Sequence, residues 1–138
     1  MRGEITMARV IEVLSVYILF SITGCVVDRV NLVKSGQILV NIVAPEDLHV
    51  SAIDIYQESN QFIIEGKVEN KFPYCSKEGG HADILVLNPN GIVLKKITID
   101  YRFTIIGCMR GGSRVGFFKV RPTVVPPEGS MVRLIFYD

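Results

Sequence analysis

From residue 38 to the end of the chain, apolar and polar positions alternate with period two, the spacing of half-buried β-strands. Ile38, Val40 and Ile42 interleave with Leu39, Asn41 and Val43 until Pro45-Glu46-Asp47 breaks the run and invites a turn. Val50 to Tyr56 sets Ile53 and Ile55 around Asp54, and Phe62, Ile64, Gly66 and Val68 then oppose Ile63, Glu65 and Lys67. The polar Glu58-Ser59-Asn60-Gln61 between these runs predicts a hairpin with one wet face. A second hairpin follows from turn chemistry. His81 to Leu87 and Ile92 to Ile99 flank Asn88-Pro89-Asn90-Gly91, where Pro pre-sets φ at the first corner and Gly takes the left-handed residue.

Asp100 to Ile106 continues as strand, Arg114 to Arg121 is another, and Pro126-Pro127-Glu128-Gly129-Ser130 punctuates before a terminal strand from Met131 to Tyr137. Seven or eight strands with turn signals every eight to twelve residues predict an all-β fold, an antiparallel β-sandwich. Val26 to Gly36 mixes Asp28, Arg29, Asn31, Lys34 and Ser35 with aliphatics and reads as a short tether or an initial edge strand. No segment after residue 25 carries a helical period, and there is no internal repeat.

The N-terminal stretch has a different pattern. Val13 to Ile22 (VLSVYILFSI) is one apolar run of ten residues, whereas a helix spanning a bilayer needs roughly 20, so the run has the length of a signal-peptide core. It ends in Ile22-Thr23-Gly24-Cys25, which resembles the lipobox of bacterial lipoproteins. That resemblance implies that the Cys25 thiol takes a diacylglycerol, that the chain is cut between Gly24 and Cys25, and that the new amino terminus is acylated as well. Two or three acyl chains anchor a domain durably, since each buried methylene contributes about 0.8 kcal/mol and a single chain holds only marginally. The expected organisation is a signal peptide over 1–24, a lipidated Cys and tether over 25–36, and a sandwich domain over 37–138. Ile22 stands where Leu is more usual, Glu12 sits at the edge of the run, and Met7-Ala8-Arg9 would make a tidier start than Met1. The other reading of this stretch is a buried N-terminal helix carrying a core Cys. Val26, in place of an Asp, follows Cys25, which by analogy with two-membrane sorting implies delivery to the outer membrane, facing the periplasm.

Composition sharpens this picture. The chain has 138 residues, 49% of them hydrophobic, which is one domain's worth of core. Lys+Arg 15 against Asp+Glu 14 gives a net charge of +1 with the two signs interspersed, so no nucleic-acid partner is expected. Without the leader, 13 basic and 12 acidic residues remain, still near neutrality.

Gly66-Lys67-Val68-Glu69-Asn70, Asp83 to Leu87 with its Asn-Pro-Asn-Gly turn, and Val125-Pro126-Pro127-Glu128-Gly129-Ser130 before a last strand resemble the immunoglobulin-like and fibronectin-type-III-like domains of bacterial envelope proteins. The likeness implies architecture alone, because such domains share shape and not chemistry. The buried Trp of antibody domains is missing, as the chain has no Trp.

Setting Cys25 aside leaves Cys75 and Cys108, an even number in a compartment that permits disulfides. A bridge between them would close a loop of about 34 residues, for which chain entropy gives roughly 3.7 kcal/mol. Both lie where a strand gives way to glycines, Gly79-Gly80 and Gly111-Gly112. Two separate buried thiols are the alternative.

No catalytic constellation is visible. His49 and His81 are far apart and no HxH, HxxxH or CxxC spacing occurs, so no metal and no cofactor is expected. A copper site from His81, Cys75, Cys108 and Met109 would compete with the disulfide for the same thiols. No nucleophile elbow or triad element is present, and Glu46-Asp47 lies in a turn where solvated charge is the rule. The loop Met109-Arg110-Gly111-Gly112-Ser113-Arg114 has the composition of an anion cradle or of a plain connecting loop. Phe72, Tyr74, Tyr101, Phe103 and Phe117 alternate with polar residues in the manner of core positions.

Two functions follow as expectations. The first is a non-enzymatic, membrane-anchored module, held in the lipid bilayer through acylated Cys25, that contacts another envelope protein. Its surface would be an exposed strand edge or the loops bearing Phe72, Tyr74, Arg110 and Arg114. The second is a periplasmic ligand-binding or inhibitor-like lipoprotein that takes an anion, a metal or an enzyme through the same loops.

Overall fold

Alternating side chains can bury one face only by pairing sheets face to face, and the chain does so. The computed structural model describes residues 29–71, 78–106 and 113–137. Nine strands run through them: β1 (Arg29–Asn31), β2 (Ile38–Val43), β3 (Leu48–Glu58), β4 (Gln61–Asn70), β5 (Gly79–Leu87), β6 (Val93–Arg102), β7 (Thr104–Ile106), β8 (Ser113–Val120) and β9 (Ser130–Tyr137). They form a five-stranded sheet ordered β1-β3-β4-β8-β7 and a four-stranded sheet ordered β2-β9-β5-β6. Ile55, Phe62, Ile64, Val68 and Phe118 of the first sheet are buried in one cluster with Ile38, Ile84, Val86, Val132, Leu134 and Phe136 of the second. The rings of Phe118 and Phe136 meet across the gap with centroids 6.1 Å apart. Burying one such side chain is worth about 1.5–3 kcal/mol. These rows, rather than surface ion pairs at about 0–1 kcal/mol each, hold the layers together.

Both predicted hairpins form. Glu58 pairs with Gln61, leaving the two-residue turn Ser59-Asn60, and Ser59 takes φ 55°, the positive φ such a turn needs at its first corner. At the second, the Asn88 side-chain oxygen accepts the N–H groups of Asn90 (3.0 Å) and Ile92 (2.9 Å). Gly91 sits at φ 79°, where only glycine is free of strain.

Three expectations are corrected. The sandwich is not wholly antiparallel, because β2 lies parallel to β9, from Ile38 beside Ser130 to Val43 beside Ile135. That pairing places Ile38 in the core and Val40 against it, beside Ser130 and Val132. The Asp100 to Ile106 strand is two strands: the chain leaves the four-stranded sheet after Arg102 and joins the five-stranded sheet at Thr104. At the crossing, the Phe103 N–H donates to the Glu78 carbonyl at 2.8 Å. Phe117 is no core residue. It is 66% exposed, while its neighbour Phe118 is buried, since consecutive strand residues point to opposite faces.

Of the two readings of the 25–36 stretch, residues 29–31 take the edge strand, with Asn31 opposite Tyr56. Leu32 then donates its N–H to the Ile55 carbonyl at 2.8 Å and drops its side chain into the core, so the sandwich includes residues ahead of 37. The layering is that of a two-sheet β-sandwich. Its strand order, β1-β3-β4-β8-β7 and β2-β9-β5-β6, differs from the immunoglobulin sheets ABED and CFG that the sequence likeness implied.

Candidate functional site

The outer face of the five-stranded sheet carries a connected polar cluster. Register builds it: Asp54 of β3 lies opposite Glu65 of β4, Glu65 opposite Lys119 of β8, and Lys67 opposite Phe117. Tyr56 shares this face and is only 2% exposed. Arg29, on edge strand β1, places its guanidinium carbon 3.4 Å from the Tyr56 ring centroid and bonds Glu65 Oε1 at 2.9 Å. The Tyr56 hydroxyl donates to Glu65 Oε2 at 3.0 Å, and Lys119 Nζ reaches both the Tyr56 hydroxyl (3.1 Å) and Glu65 Oε2 (3.2 Å). Asn31 Nδ2 donates to Asp54 Oδ1 at 2.9 Å, and Lys67 pairs with Glu69.

The electrostatics follow from these contacts. Partial burial pulls the Glu65 carboxyl up, but the hydrogen bonds from Tyr56 and Lys119 and the charges of Lys119 and Arg29 outweigh it and hold it below the usual range. The hydrogen bond to Tyr56, then that to Glu65, pushes the Lys119 ammonium up. A carboxylate held ionised by three donors is poorly suited to proton transfer near neutral pH, so the cluster fixes shape and charge.

Beside the cluster lies an open hollow of about 400 Å³ lined by Ala52, Asp54, Gly66, Lys67, Phe117 and Lys119, among others. A β-bulge makes it: the β3–β4 register shifts between Ser51 and Asp54, and Ala52 takes φ 52°. Gly66 is required opposite the bulge, because a Cβ there would meet the end of the Ile53 side chain and lie 2.6 Å from Phe118 Cζ.

On the opposite sheet, Asp83 is buried with three partners, Thr98 Oγ1 (2.6 Å), Lys96 Nζ (2.8 Å) and the Tyr137 hydroxyl (3.2 Å). The Lys96 hydrogen bond, then that from Thr98, holds its carboxyl below the usual range. His81 stacks on Tyr137, ring centroids 5.0 Å apart, and His49 lies exposed on β3 opposite Glu69. The two histidines therefore sit on different sheets. Among the described residues, no group of three or more His, Cys, Asp or Glu side chains could hold a metal ion. Nor, among them, is any helix long and apolar enough to cross a membrane.

Of the site residues expected from sequence, Cys25, Phe72, Tyr74, Cys75, Cys108 and Arg110 lie outside the described residues, as does Met109. Arg114 is described: half-buried on β8, between Asn70 of β4 and Ile105 of β7. That pairing brings the flanks of 72–77 and 107–112 to one end of the sandwich. Lys71, which leads into 72–77, follows Asn70, and Ser113, which closes 107–112, precedes Arg114. The Phe103–Glu78 hydrogen bond ties Glu78, which follows 72–77, to the residue just ahead of β7. Arg29, Tyr56, Glu65 and Lys119 did not stand out in the sequence, and exposed Phe117 has there the pattern of a core position. The one signal was the adjacency of Phe117 and Phe118 in a strand, of which only one can face the core. No family model, curated protein or solved structure matches the chain.

Proposed function

We propose that the protein is a non-enzymatic envelope lipoprotein, anchored in the outer membrane through acylated Cys25, whose sandwich docks another envelope protein. The anchoring is supported by the apolar run ending in Ile22-Thr23-Gly24-Cys25. A disulfide between Cys75 and Cys108 belongs to this reading and is supported by the pairing of residues that flank the two cysteines in sequence, Asn70 with Arg114 and Glu78 with Phe103.

The observation that carries the docking role is Phe117, 66% exposed beside the hollow and framed by Lys67, Glu65 and Lys119. An apolar centre with a polar rim, held on a rigid sheet, is the anatomy of a recognition surface. A photo-crosslinking phenylalanine derivative installed at position 117 in intact envelopes is expected to give one discrete protein adduct. The same derivative at Ile92, on the opposite sheet's hairpin, is expected to give none. Absence of an adduct from 117, or equal labelling from both positions, contradicts the docking role.

A further inference from the structure

The four sheet edges of this sandwich are not alike. β1 and β7 are three residues each, and β6 carries Lys95, Lys96, Asp100 and Arg102. Shortness and charge are the usual devices that keep an edge from pairing with another chain. β2 has neither: Ile38–Val43 is six residues, ILVNIV, with no charge and no proline. No strand lies on its far side among the described residues, and Leu39 and Val43 are 56% and 49% exposed.

We propose that β2 pairs antiparallel with β2 of a second copy, joining two four-stranded sheets into one of eight across a two-fold axis at Asn41. A second copy is the occupant this strand suits. β2 has no charged residue, so its self-pairing brings no like-charge pair together, and the chain's net charge of +1 adds little repulsion.

The axis follows from geometry. Residues paired across the junction must point to the same face in both copies, so odd positions meet odd and even meet even. Centring on Asn41 uses the strand most fully. It sets Leu39 against Val43 twice on the outer face, Val40 against Ile42 twice on the inner face, and Asn41 against its own image. Centring on Val40 instead would set Leu39 against Asn41 and leave Val43 without an apolar partner. On this outer face Leu39 and Val43 already lie beside Met131 and Ile135 of β9, with Asn41 beside Arg133 between them, so the junction extends two apolar patches that each copy leaves open. This inference rests neither on membrane anchoring nor on the Phe117 face.

The test is sedimentation equilibrium of the full chain in density-matched detergent over a concentration series, with thermal unfolding as the check on folding. The wild type is expected to reach twice the monomer mass. Leu39→Lys/Val43→Lys, which sets lysine against lysine, is expected to stay monomeric with unchanged unfolding. Leu39→Lys/Val43→Glu, which sets lysine against glutamate in the Asn41-centred register, is expected to restore the dimer in low salt. A monomeric wild type, as when residues 1–28 or a different protein take the edge, overturns the proposal. So does a double-lysine variant that dimerises like the wild type, or a folded Lys/Glu variant that remains monomeric.

Discussion

Arg29 lies across the face of Tyr56, its guanidinium carbon 3.4 Å from the ring centroid, and thereby ties the edge strand β1 to Glu65 two strands away. The short edge strand has only three residues of ladder, so this side chain supplies much of what holds it. Arg29→Ala is expected to cost about 1 kcal/mol, from one cation–π contact and one half-exposed ion pair. The loss should appear as faster amide exchange confined to residues 29–31 and their β3 partners. Exchange rising uniformly over the domain would contradict the local role.

Tyr56→Phe keeps the ring under Arg29 and removes the hydroxyl that bridges Glu65 and Lys119. Because Lys119 still reaches Glu65 directly, the expected loss is about 1 kcal/mol in chemical denaturation, with no change in fold. A loss as large as that of a cored-out aromatic, about 3–5 kcal/mol, would mean the hydroxyl orders more than its two partners.

Acid is expected to destabilise the domain through Glu65 and Asp83, whose ordinary values are 4.5 and 3.8 and whose folded values are lower. A depressed carboxylate contributes stability that is present above its unfolded pKa and lost as pH falls through the folded one. The urea midpoint should therefore hold steady near neutrality and fall below the ordinary carboxylate values. Lys96 and Lys119, raised above 10.5, contribute stability that is lost only as pH rises beyond that value. Glu65→Gln with Asp83→Asn should flatten the acid limb, and an unchanged limb would contradict the assignment.

Gly66→Ala is expected to destabilise by about 1–3 kcal/mol, because the added methyl is driven into the Ile53 and Phe118 side chains. In an Ile53→Val background the penalty should shrink, since the shortened side chain vacates the contact. Strictly additive losses in the double mutant would contradict the close packing at the bulge.

The Asn88–Gly91 turn and the Ser59–Asn60 turn were legible in the sequence because their chemistry is local: a few adjacent residues determine them. The parallel β2–β9 pair was not, because nothing near Ile38 marks Ser130 as its partner, and only burial of Ile38 and Val40 in the shared core selects it. Leu32 was hidden in a polar stretch, and its burial depends on Asn31 holding the turn by accepting from the Val33 and Lys34 N–H groups. The Arg29–Tyr56–Glu65 cluster was invisible for the same reason as the parallel pair. Its members lie on three strands, and strand order is a tertiary outcome. Phe117 and Phe118 carried a readable ambiguity, resolved by the space that Gly66 leaves for Phe118.

The central claim is a lipid-anchored, disulfide-stapled sandwich, and the most direct measurement is the intact mass of the protein extracted from its native membrane, before and after reduction. The account predicts loss of residues 1–24, added diacylglycerol and acyl mass on Cys25, and a gain of two hydrogens on reduction as Cys75 and Cys108 separate. A full-length, unacylated chain whose mass does not change on reduction would contradict it.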